Sequence, residues 1–273
     1  MDTDINRVVL WSAPRCLSSV FYRSIATLKK TKHFIELFSG AQYFGPDRRS
    51  DLYPSIQDSE IDLEGLSVKD LSYETMKKLL TADYSNVDLM FTKELAYCLP
   101  ESMYQDMVTG RFSNFRHTFL IRDPERALYS NYKALSKHQF NDLYLDPPTG
   151  GFHELYKFYK FVKEKKGTTP VIVDAGDLQT YPDETMKVYC EAVGIPFDPK
   201  MTSWEPYSCP IAYKMWIDNW FDVLNQSSGF IKTKPGEQKP VPLHELPNEV
   251  VKRIENSREC YMEMKKECVK LLI

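Results

Sequence analysis

The chain has 273 residues, 42% of them hydrophobic and 27% charged, with a net charge of −3. That mixture can bury a full core and excludes global disorder. The near-neutral balance gives no support to nucleic-acid binding, so any basic site must be a local pocket. No apolar run approaches the roughly 18 residues of a membrane span. The six cysteines, Cys16, Cys98, Cys190, Cys209, Cys260 and Cys268, form no C-x-x-C pair and have no zinc-type spacing. Val8-Val9-Leu10-Trp11 is too short for a signal-peptide core. The expectation is a cytoplasmic chain with reduced thiols and no metal, forming one domain over 1–273.

In chain order, Val8–Trp11 reads as a buried strand because it is a continuous apolar run closed by Ser12-Ala13-Pro14. Ser18–Leu28 carries Val20, Phe21, Ile25 and Leu28 at helical spacing, with Ser18 or Ser19 as cap. Phe34–Phe38 reads as a second strand. Residues 39–66 read as a long loop, functional or mobile, that orders on ligand binding. Val68–Leu80 is expected to be a helix and Val87–Thr92 a strand. His117–Ile121 is a strand, followed by a helix over Pro124–Ser136 with Asp123 as cap and proline at its first position. Phe152–Lys165 is a helix, Pro170–Asp174 a strand, and Pro182–Val193 a helix ending at Gly194. Residues 195–243 give no clear pattern, and 245–271 read as a long terminal helix. Alternating strands and helices imply an α/β fold: a mostly parallel central sheet flanked by helices on both faces. Such sheets bind ligands beyond the carboxyl ends of their strands.

Two junctions carry chemistry. Ser12-Ala13-Pro14-Arg15-Cys16-Leu17-Ser18-Ser19 joins the first strand to the first helix. A helix start offers free N–H groups, the serines add hydroxyls, and Arg15 adds a cation with bidentate reach, which together make a phosphate cradle. A nucleoside-triphosphate P-loop would need glycines and a lysine that this loop lacks. A cysteine-dependent phosphatase would need Cys16 and Arg23 one residue closer. An ordinary capped turn explains the loop's composition as well. The second junction is Arg122-Asp123-Pro124, with Ser130 nearly two turns into the next helix. Alone, Arg122 reads equally as a salt-bridged loop arginine and Ser130 as a solvated helix serine; together they could hold a second phosphate.

The pair of junctions resembles the P-loop sulfotransferase superfamily, whose motifs for 3′-phosphoadenosine 5′-phosphosulfate (PAPS) fall in this order. Ala13-Pro14-Arg15-Cys16-Leu17-Ser18-Ser19 stands where the family binds the 5′-phosphosulfate, with Leu17 replacing the usual glycine and Cys16 a serine. Arg122, Asp123, Pro124 and Ser130 match the 3′-phosphate motif in spacing. The branch most similar is often labelled aminotransferase-like in plants and invertebrates; its further marks are matched by Asp174-Ala175-Gly176-Asp177-Leu178, by Trp216 and by Ser227-Ser228-Gly229-Phe230.

The resemblance implies sulfonate transfer from PAPS to a small acceptor, without metal. It implies Arg15 at the leaving phosphate and Lys93 as a second cation. No histidine lies in Thr92-Lys93-Glu94-Leu95-Ala96-Tyr97-Cys98, so Glu94 is expected to be the base, with His138 as the alternative. Cys16, beside Arg15 at a helix start, is expected to have a lowered pKa. Asp174 is a candidate for the adenine, and Lys232 and Lys234 for the 3′-phosphate or simply a solvated charge run. Tyr43, Phe44, Tyr97, Tyr144, Trp216 and Trp220 are candidates for an aromatic pocket taking an alcohol, phenol or sterol, although core packing accounts for the same residues. The terminal helix could serve a homodimer or cover the sheet.

Overall fold

The computed structural model describes residues 5–51, 65–137, 150–206, 221–237 and 240–271. Among them the strands are β1 (Asn6–Ser12), β2 (Thr31–Ile35), β3 (Leu89–Leu95), β4 (Arg116–Ile121) and β5 (Val171–Asp174). They form one sheet in the order β2-β3-β1-β4-β5, and every pairing is parallel. β1 lies in the middle, with Val8 to Trp11 fully buried, as its continuous apolar run requires. The chain leaves β1 toward one edge through β2 and β3, then crosses to the other side for β4. The strand order therefore reverses next to β1, the position where open parallel sheets hold ligands.

The helices are α1 (Ser18–Ile25), α2 (Leu37–Tyr43), α3 (Tyr73–Thr81), α4 (Pro124–Lys137), α5 (Phe152–Lys166), α6 (Ala175–Thr180), α7 (Pro182–Val193), α8 (Asp222–Asn225) and α9 (Asn248–Lys265). Alternation along the strands places them on both faces. Phe119 of β4 meets Phe158 and Tyr159 of α5, at 6.2 and 5.4 Å between ring centroids. Its neighbour Thr118 points the other way, to the Tyr189 hydroxyl of α7 at 3.1 Å. Tyr189 in turn meets Phe21 of α1 edge-on at 4.8 Å. Trp11 packs on Phe158 and stacks on Phe38 of α2, so α2 and α5 share a face. α9 closes the structure against α4 and α5. No helix among the described residues is long and apolar enough to cross a membrane.

Several elements differ from the sequence reading. The second strand is Thr31–Ile35 rather than Phe34–Phe38, because Glu36 takes a left-handed backbone (φ 56°) and turns the chain into α2. The first five residues of the expected loop 39–66 are therefore helical, and 52–64 lie outside the described residues. The expected helix Val68–Leu80 is a 3-10 turn, Val68–Asp70, followed by α3; Ser72 caps α3 by accepting from Thr75 N, which breaks the run. β3 extends past Thr92 to Leu95, which brings Lys93 and Glu94 inside the sheet. The terminal helix starts only after Pro247. Asp123 caps α4 as expected, accepting from Glu125 N at 2.8 Å.

His117, near the start of β4, is a core residue. Its Nδ1 accepts from the Trp11 indole at 3.0 Å, and its Nε2 donates to the Met107 carbonyl at 2.9 Å. Burial pushes its pKa down to about 3, so the ring is neutral.

Candidate active site

The carboxyl ends of the strands converge on one cavity of about 260 Å³. Pro14 and Arg15 come from the loop after β1, Glu36 follows β2, Lys93 and Leu95 end β3, Arg122 follows β4, and Gln179 comes from α6 after β5. Among the described lining residues the charges are Arg15, Lys93, Arg122 and Glu36. This is a surplus of cations at one place in a chain of net charge −3, a charge balance complementary to an anion.

The loop after β1 is bent to suit an anion. Arg15 (φ 60°) and Leu17 (φ 66°) both have left-handed backbones. Such alternation gathers consecutive backbone N–H groups around a concavity. Leu17 carries out the turn for which glycine is the unstrained choice, at a cost of about 1 kcal/mol or more. It is also the residue that caps α1, and no side chain bonds to the first turn, contrary to the expected Ser18 or Ser19 cap. Ser18, Ser19 and those N–H groups therefore face the cavity. Of the five non-glycine residues with positive φ among those described, Arg15, Leu17 and Glu36 all line this cavity. Strain of that kind gathers at functional sites. On the outer side, Gly151 (φ 81°) lets the start of α5 approach the loop; a Cβ there would lie 2.8 Å from Pro14 Cδ.

The two arginine motifs meet. Arg122 Nη1 donates to the Arg15 carbonyl at 2.8 Å, and Arg15 Nε donates to the Ser130 hydroxyl at 3.3 Å. Arg122 Nε is buried with no hydrogen-bond partner among the described residues. An orphaned guanidinium N–H is costly unless an acceptor comes to it. Burial holds both arginines below their ordinary pKa; Arg122 pushes Arg15 the same way, and Glu36 opposes it. Two desolvated guanidiniums, an orphaned N–H and an uncapped helix start fit a ligand with two phosphate-type groups.

The third part is Glu36 with Lys93. The lysine Nζ donates to the Glu36 carboxylate, and the two side chains are 2% and 11% exposed. Sequence reading missed Glu36, because a continuous strand Phe34–Phe38 gave it no special position. The available signal was a carboxylate interrupting an apolar run next to a strand's carboxyl end.

Other expected site residues fall elsewhere. Glu94 is fully buried in β3 and off the cavity wall: its Oε1 accepts from Leu37 N at 3.1 Å and from the Thr92 hydroxyl at 2.7 Å, and its Oε2 accepts from Phe38 N at 3.1 Å. A base must reach its proton, so Glu94 does not stand where an acceptor could meet it. The Cys16 thiol points into the core, and burial raises its pKa to about 12, opposite to the expected lowering. Only the Cys16 backbone belongs to the loop concavity. Asp174 caps α6 through Gly176 N at 2.6 Å and is bound by Tyr261 and Lys265, away from the cavity. Lys232 and Lys234 are exposed and off its wall, with Lys234 paired to Glu237. Tyr43 and Tyr97 do line the cavity, joined hydroxyl to hydroxyl at 2.9 Å, whereas Phe44 packs in the core. His138, Tyr144, Cys209, Trp216 and Trp220 lie outside the described residues. Phe221, Phe230 and Ile231 form an apolar side of the cavity, of which the sequence had singled out only Phe230, as the end of Ser227-Ser228-Gly229-Phe230; the segment is held by the Ser203–Gly229 bridge and by Thr233 N donating to Gln179 O at 3.1 Å. Among the described residues no His, Cys, Asp and Glu group could hold a metal ion.

The parallel sheet with flanking helices is a P-loop-type sulfotransferase fold, as the likeness to the solved structures below shows. A family model described as a sulfotransferase domain matches residues 87–248, more than half of the chain, which therefore belongs to the sulfotransferase domain family. Two Arabidopsis thaliana proteins are similar in sequence: branched-chain-amino-acid aminotransferase-like protein 2, 28% identical over 81% of this chain, and protein 1, 27% identical over 82%. The chain spans only 35% and 36% of their lengths. A sulfotransferase from Alicyclobacillus acidocaldarius shares the fold with TM-score 0.54 at 11% identity, over 95% of this chain and 96% of that one. The sulfotransferase domain of the curacin biosynthetic pathway does so with TM-score 0.50 at 13% identity, over 93% and 98%.

Proposed function

We propose that this chain transfers a sulfonate group from PAPS to a hydroxyl or amine of a small acceptor, releasing 3′-phosphoadenosine 5′-phosphate without a metal. The observation that carries the reading is the meeting of Arg15, Arg122 with its orphaned Nε, and the Glu36–Lys93 pair at one cavity. PAPS supplies a sulfonate already attached to a phosphate leaving group.

The N–H groups entering α1, with Ser18, Ser19 and Arg15, hold the 5′-phosphate and stabilise the charge it gains as the sulfur–oxygen bond breaks. Arg122 and Ser130 hold the 3′-phosphate. Glu36 takes the place first expected for Glu94: its carboxylate removes the acceptor proton as the acceptor oxygen bonds to sulfur. Lys93 fixes that carboxylate and offers its remaining N–H groups to the sulfonate oxygens. Positioning and charge stabilisation dominate, as in phosphoryl transfer. Tyr43, Leu95 and Tyr97 line the same cavity as Glu36 and Lys93, which suits a phenol, alcohol or sterol.

The test is to follow radiolabelled sulfonate from PAPS, in EDTA, into a panel of phenols, alcohols, sterols and amines. Label in an organic product is expected. Nucleotide binding with no transfer to any of them would instead leave a binding protein that has lost catalysis.

A further inference from the structure

We infer that Glu94 is a positioning residue: it holds the first turn of α2 so that Glu36 is forced out toward the cavity beside Lys93. This rests on the reading of Glu36 as the base.

The geometry is a chain of contacts. Glu36 is the residue between β2 and α2, and its amide is bonded to the Lys93 carbonyl at 2.6 Å, which fixes its N-terminal side to β3. On its C-terminal side, the amides of Leu37 and Phe38 are the first of α2, and each donates to a different oxygen of the Glu94 carboxylate. Glu36 is therefore clamped on both sides by consecutive residues of one strand. The clamp leaves it a left-handed backbone, φ 56° and ψ 41°, that a glutamate does not adopt unforced. Alternation along β3 does the rest. Lys93 points to the cavity to meet the Glu36 side chain, while Glu94 points to the opposite side and meets the helix start. The Thr92 hydroxyl gives the carboxylate a third donor. Three donors converge on this one fully buried side chain, which therefore must present an acceptor oxygen to each of the two amides. Burial raises the group toward about 7, and the bonds from Thr92, Phe38 and Leu37 work against that rise. An amide at this position would set its own NH₂ against a backbone N–H.

The experiment compares wild type with Glu94→Gln, which preserves size, in crystals grown with 3′-phosphoadenosine 5′-phosphate and in turnover of PAPS with a naphthol. The expected result is loss of the left-handed Glu36 backbone or of its bond to Lys93. With it, kcat should fall at least tenfold while KM for PAPS stays within about twofold. Thr92→Val, which keeps both amide bonds, should retain Glu36 in place. If Glu94→Gln does not fold, Glu94→Asp, which retracts the charge from both amides, gives the same reading. Glu36 unmoved beside Lys93, or kcat unchanged, would overturn the inference. Failure of the wild type to bind the nucleotide would instead remove the proposed function, and the crystal comparison would still decide the role of Glu94.

Discussion

Arg122 donates from Nη1 to the main-chain carbonyl of Arg15 at 2.8 Å, so the loop after β4 supports the backbone of the loop after β1. Two segments far apart in sequence thereby form one cradle, and Arg122 acts twice, as a brace through Nη1 and as an orphaned donor through Nε.

Arg122→Ala removes both actions. A hydrogen bond to a charged group contributes about 1.5–3 kcal/mol. Affinity for 3′-phosphoadenosine 5′-phosphate, measured by calorimetry, should fall roughly 10- to 100-fold. An affinity within twofold of wild type would remove Arg122 from the phosphate site.

Glu36→Gln keeps the size of the side chain and its contact with Lys93 but cannot accept the acceptor proton. General-base catalysis contributes roughly 10²- to 10⁴-fold, so kcat should fall by that order, with nucleotide affinity nearly unchanged. Single-turnover transfer from radiolabelled PAPS gives the chemical step directly. Wild-type turnover in this variant would exclude Glu36 as the base.

Stability should depend on pH through His117. Its folded pKa of about 3 lies below its unfolded value of about 6.5, so the unfolded chain binds more protons between those values. Its contribution is complete above about pH 6.5 and is lost as pH falls toward 3, on the order of 3 kcal/mol by pH 4. Glu94, raised to about 7, acts in the opposite sense: its contribution is present below about 4.5 and lost as pH rises through 7. Comparing denaturant midpoints of wild type and His117→Gln, which can still pair with Trp11 and Met107, isolates the histidine. The acid-side loss should be smaller in the variant.

The sequence revealed what is encoded locally. The Ser12–Ser19 junction shows itself as an apolar run ending in a proline-serine turn, and Arg122-Asp123-Pro124 as a cap with proline at the first helical position. Both stand where they were expected, at strand ends. The roles of Glu36 and Glu94 were not legible, because they depend on where β3 ends. Thr92, Lys93 and Glu94 are polar, so an apolar-run criterion closes the strand before them. All three are nevertheless buried: Lys93 pairs with Glu36 and Glu94 with the first amides of α2, more than fifty residues earlier, while Thr92 bonds to Glu94. Asp174 reads as a ligand group at a strand end, yet its bonds are spent on α6 and α9. Only tertiary contacts separate a carboxylate that lines the cavity from one that holds a helix start.

The most direct measurement of the central claim is calorimetric binding of 3′-phosphoadenosine 5′-phosphate, with and without EDTA, beside ATP. Tight binding that EDTA leaves unchanged is expected, with ATP much weaker, because ATP has no 3′-phosphate for Arg122 and Ser130 to hold. No binding, or a preference for magnesium-bound ATP, would contradict it and return Arg15 and Arg122 to structural loop arginines.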